Sequence, residues 1–77
     1  MKKYYEYFEQ ERMLYVVAVV KGDKFESSLH MGRMQGFKDA LSNTGVDFTI
    51  ICYLHDRIMS AIDFAYRMKR RYRKVRK

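Results

Sequence analysis

The residues in this chain whose types and spacing most resemble reactive chemistry are Cys52 and His55, three positions apart. Positions i and i+3 share a helix face, so a thiol and an imidazole would meet there. A zinc site needs about four donors, and His30 plus an unassigned carboxylate do not complete a set with zinc spacing. A Cys–His nucleophile also needs an oxyanion site and an enclosed cleft, which a 77-residue bundle hardly provides. Cys52 is therefore expected as a buried apolar filler and His55 as a polar residue at a helix edge.

Acid–base chemistry fares no better. His55 and Asp56 are neighbours and point to different sides of a helix, and no second carboxylate is spaced to share a site with either Asp56 or Asp63. Glu6, Glu9 and Glu11 form an acidic patch near the N-terminus. It reads as a solvated helix face with Glu9–Arg12 support at i, i+3, or as a counter-charge for the basic C-terminal end. Gly32 and Gly36 lack the strand, the lysine and the spacing of a phosphate-cradling loop. No catalysis, metal or cofactor is expected.

What remains is charge. Residues 67–77 hold Arg67, Lys69, Arg70, Arg71, Arg73, Lys74, Arg76 and Lys77 and no acid, half of the sixteen Lys and Arg residues of the chain. The other 66 residues carry eight basic and nine acidic side chains, so a body of net charge −1 bears an end of +8. A merely soluble surface mixes signs. Five of the eight are arginines, whose planar forks suit phosphate oxygens, and Tyr66 and Tyr72 interleave with them as stacking surfaces.

These residues need a scaffold, and the composition sets its kind. An apolar fraction of 48% excludes a disordered chain. The longest apolar run, Met13–Val20, is too short to span a bilayer, and acids precede it where a signal peptide would be basic. A single cysteine precludes an intramolecular disulfide and fits a reducing, cytoplasmic setting. One domain, residues 1–77, is the expectation.

Turn chemistry is concentrated at Lys21-Gly22-Asp23 and Ser42-Asn43-Thr44-Gly45, which leaves segments of about twenty, twenty and thirty residues. In the second, Asp23 is placed as N-cap with Glu26 in capping-box position, and Asn43 or Gly45 as the end. Phe25, Leu29, Gly32, Gly36 and Ala40 share one face there, flanked by Phe37 and Leu41. Gly32, Gly36 and Ala40 would let another backbone approach closely, with Ala61 and Ala65 as their counterpart. In the third, Ile51, Leu54, Ile58, Ala61, Ala65, Met68, Tyr72 and Val75 repeat at alternating spacings of three and four, a heptad seam that runs into the basic end.

The expected fold is thus all-α, a three-helix bundle with a long basic C-terminal helix. The alternative is a small α+β strand–helix–strand–helix arrangement, since Val46, Phe48, Ile50, Cys52 and Leu54 also alternate as in a strand and Met13–Val20 contains four valines. The expected function is non-catalytic nucleic-acid binding, to DNA or RNA, with Arg67, Lys69, Arg70, Arg71, Tyr72, Arg73, Lys74, Arg76 and Lys77 on the phosphate backbone and weak sequence selectivity. An adaptor or inhibitor that binds an acidic protein surface, anchored by Met68, Tyr72 and Val75, is the second reading. A membrane surface ranks third, because the end lacks a bulky apolar face. A homo-oligomer is expected from the small core. Lys69, Arg71 and Arg76 flank the seam and would clash in a parallel pair, which favours an antiparallel pair or one through the glycine face.

Overall fold

The computed structural model describes the backbone of residues 2–75 and the side chains of residues 5–72. Three helices, α1 (Lys2–Lys21), α2 (Lys24–Asn43) and α3 (Phe48–Val75), make up this backbone apart from two short turns. Among the described residues there is no strand, so the all-α three-helix bundle holds and the strand-containing alternative does not.

Both turns follow from local chemistry. Gly22 adopts φ +81, the left-handed conformation that ends helices at little cost to glycine. The Gly22 and Asp23 amides then donate to the Val19 and Ala18 carbonyls at 3.0 and 2.9 Å, which closes α1 with a Schellman motif. Asp23 at once caps α2, its Oδ1 accepting from the Glu26 amide at 3.0 Å. The capping box is only half made, because the Asp23 amide is already spent on Ala18 and the Glu26 carboxylate reaches His30 instead. Asp47 starts α3 by accepting from the Thr49 amide at 3.0 Å. That cap fixes as helix the very stretch whose alternation resembles a strand.

α1 and α2 are antiparallel, with Phe8 against Phe37 (ring centroids 5.6 Å apart) and Glu11 against Arg33. α3 returns parallel to α1. Tyr5 meets Tyr53 edge-on at 6.3 Å, and Glu9 meets Arg57 at the same sequence separation of 48. The core gathers Phe8, Tyr15 and Val19 from α1, Met34 from α2, and Leu54, Ile58, Ala61 and Ala65 from α3. The last four are the middle of the heptad seam, each fully buried. Ile51 and Met68 are half-buried, and Tyr72 lies half exposed.

The glycine face of α2 is a correction. Gly32, Gly36 and Ala40 are exposed, Phe25 keeps 75% of its surface, and a Cβ built on either glycine meets nothing within 4 Å. α2 instead turns His30 and Met34 inward, with Met31, Phe37 and Leu41 packed beside them. That face has the larger side chains and so removes more apolar area from water. Ala61 and Ala65 pack within the core cluster, not against the glycines. Gly32→Ala and Gly36→Ala are therefore expected to stabilise the fold, by about 0.5–1 kcal/mol each, since they raise helix propensity without a clash. Urea unfolding followed by circular dichroism measures it.

Candidate nucleic-acid interface

The parallel packing of α3 on α1 decides where the basic end lies. At an offset of 48, the last residue of α1, Lys21, is level with Lys69. From Arg70 onward α3 passes the α1–α2 turn, in a molecule whose longest dimension is 49 Å. Lys21 and Lys24, exposed on either side of that turn, stand at the same end of the bundle. Sequence reading missed both, because each sits in a neutral stretch and only the chain reversal groups them with the C-terminal cations.

The cations of residues 67–72 are not equivalent. Arg67 pairs with Asp63 one turn earlier, an exposed i, i+4 ion pair worth a few tenths of a kcal/mol. Among the described residues, Lys69, Arg70 and Arg71 form no ion pair. Tyr66 and Tyr72 each leave 48% of their surface exposed. The side chains of Arg73 and Lys74, and Arg76 and Lys77 altogether, lie outside the described residues. Below this end, Tyr15, Ser27, Ser28 and Tyr66 line an open groove beside Gly32. Burial, with the neighbouring Tyr66, pushes the Tyr15 hydroxyl above its ordinary pKa.

The acidic patch on α1 is a second correction. It is not one solvated face, and Glu9 and Glu11 are not available to the basic end. Glu9 accepts from the Arg57 guanidinium at 2.8 to 3.0 Å and from Arg12 at 2.8 Å, while Arg12 Nε donates to the Arg57 carbonyl. The Glu9–Arg12 support is thus present within a wider network. Burial alone would raise the Glu9 pKa, but the hydrogen bonds and charges of Arg12 and Arg57 outweigh it and hold it below 4.5. A lowered folded-state pKa stabilises the fold above the unfolded value and is lost as pH falls through the folded one. Acidification below about pH 4.5 should therefore release this contribution, well under 1 kcal/mol at a partly exposed site. Glu9→Gln should flatten that part of the stability–pH curve in urea titrations.

Glu11 is the larger surprise, being only 3% exposed. Its two oxygens take different partners: Arg33 donates to Oε1 at 3.0 Å, and His30 Nδ1 lies 2.5 Å from Oε2. His30, itself 6% exposed, turns its Nε2 to the Glu26 carboxylate at 3.1 Å. Both ring nitrogens of His30 are thus engaged by side-chain carboxyl groups. No buried side-chain polar atom among the described residues lacks a partner. The sequence signal was present: Glu11 falls between Phe8 and Tyr15 on the inward stripe of α1.

No hydrogen bond between Cys52 and His55 is present among the described residues. Both are exposed, contrary to the expectation of a buried cysteine, and they border a shallow depression with Lys38 and Phe48. Among the described residues no three His, Cys, Asp or Glu side chains could hold a metal ion, and no helix is long and apolar enough to cross a membrane. No protein-family model, curated protein or solved structure matches the chain.

Proposed function

We propose that this is a non-catalytic nucleic-acid-binding protein that grips the phosphate backbone with the basic end of α3. One observation supports the reading: among the described residues Lys69, Arg70 and Arg71 have no carboxylate partner, while nearby acids have partners of their own. Asp63 holds Arg67, Asp23 caps α2 and Glu26 faces His30. A cluster without paired acids, of which Arg70 and Arg71 project past the turn, is a point of strong positive potential. Phosphate contacts by arginine and lysine fix position without reading sequence, so weak selectivity follows. Lys21 and Lys24 widen the footprint, and the half-exposed Tyr66 adds an aromatic surface for stacking on unpaired bases.

The alternative occupant, an acidic protein groove, draws less support. Its anchor stripe would be Met68, Tyr72 and Val75, yet Met68 is already half-buried and Val75 lies outside the described side chains. Fluorescence anisotropy with labelled duplex DNA, single-stranded DNA and RNA tests the reading, comparing the intact chain with one that ends at Tyr66. The shortened chain keeps every buried core residue and should lose binding to all three. Equal binding by the two chains would refute the proposal.

A further inference from the structure

The Met13–Val20 run is apolar all round, but its two neighbours cover only part of α1. Met13, Leu14 and Val17 keep 68%, 40% and 48% of their surface, and Phe64 of α3 adds 49% beside them. Met13 and Val17 join Phe64 in a groove on the α3 side, while Leu14 and Val17 line another on the α2 side with His30. The face is thus a ridge with a groove on each flank, the shape that helix packing interdigitates. A contiguous apolar patch rimmed by polar residues marks an interaction surface.

The polar rim specifies the occupant. Glu6 stands at one end of the face and Lys21 at the other, both exposed and neither ion-paired among the described residues. They lie symmetrically about the point between Met13 and Leu14. We infer that this face binds a second copy of the chain, with the two α1 helices antiparallel about a dyad at Met13 and Leu14. That arrangement sets Glu6 opposite Lys21 of the second copy, twice, and Gln10 opposite its Val17, with the methionines and leucines at the centre. A parallel pair would instead set Glu6 on Glu6 and Lys21 on Lys21. Isologous contact of one patch with itself is the usual form of a symmetric dimer.

The direction of α3 supplies an independent reason. α3 runs parallel to α1, so antiparallel α1 helices send the two basic ends to opposite poles and keep their like charges apart. A parallel dimer would bring them together. Gly36, on the exposed glycine face of α2, serves as the control position. The inference does not depend on what the basic ends bind.

Sedimentation equilibrium of the full chain under reducing conditions, which prevent a Cys52 disulfide, tests it. The expected result is a dimer for the intact chain and for Gly36→Glu, and a monomer of unchanged helix content for Met13→Glu/Val17→Glu. Glu6→Lys should weaken the dimer about tenfold or more, and Glu6→Lys/Lys21→Glu should restore it. A monomer at concentrations up to about 1 mM, a dimer that survives Met13→Glu/Val17→Glu, or one abolished by Gly36→Glu overturns the inference. An undisturbed dimer in Glu6→Lys overturns the antiparallel register.

Discussion

Replacing Glu11 with leucine is expected to cost roughly 3–5 kcal/mol, about as much as a domain of this size gains from its core. The carboxylate is buried at 3% exposure and is the partner of His30 Nδ1. Without it, an imidazole at 6% exposure faces an apolar side chain, and only Glu26, from the solvent side, still engages the ring. Arg33 suffers less, since its side chain is 47% exposed and can return to water. His30→Leu should cost a similar amount, because it strips Glu11 Oε2 of its partner. The double variant Glu11→Leu/His30→Leu removes both polar partners, puts apolar groups of comparable size in their place, and should recover most of the loss. A coupling of at least about 2 kcal/mol is expected from this cycle in urea unfolding. Sulfate can be added to all four proteins if the single variants unfold in buffer. Strictly additive costs would show that Glu11 and His30 contribute separately.

This pair also marks the limit of what the sequence discloses. Leu54, Ile58, Ala61 and Ala65 lie in the core because spacings of four, three and four keep them on one side of α3, a regularity visible without coordinates. Asp23, Gly22 and Gly45 act locally, through a cap and two left-handed turns, so their positions were legible too. Which face of α2 turns inward was not. The stripe through Gly32, Gly36 and Ala40 and the stripe through His30, Met34, Phe37 and Leu41 both have helical spacing. The choice between them depends on a partner helix. His30 looks like a surface residue until Glu11 arrives from α1 to satisfy it, nineteen positions away. The same holds for the candidate interface. The C-terminal cations announce themselves as a run, but their differences come from Asp63, which occupies Arg67, and from the parallel packing that carries Arg70 and Arg71 beyond Lys21.

The second large effect is expected at that end. Neutralising Lys69, Arg70 and Arg71 together, as Lys69→Ser/Arg70→Ser/Arg71→Ser, removes three cations that no described carboxylate holds. All three sit after the last buried residue, Ala65, so helix content and unfolding midpoint should barely move. Binding should change greatly. Each phosphate contact releases condensed counterions, which makes affinity fall linearly with salt on logarithmic axes, with a slope of about −0.9 per contact for duplex DNA. Six to eight contacts from the basic end correspond to a slope of about −5 to −7. Three fewer make it shallower by about 2.7 and lower the affinity at low salt by a hundredfold or more. The Glu9–Arg12–Arg57 network and the Glu11–His30 pair lie within the bundle and should leave this slope untouched.

The most direct test is therefore the salt dependence of duplex DNA binding by the intact chain and by Lys69→Ser/Arg70→Ser/Arg71→Ser, measured by anisotropy from about 50 to 400 mM salt. The expected result is a steep line for the intact chain and a shallower, lower one for the variant, with little change when the DNA sequence is scrambled. Absence of binding at about 50 mM, or two superimposable lines, would contradict phosphate recognition by the end of α3.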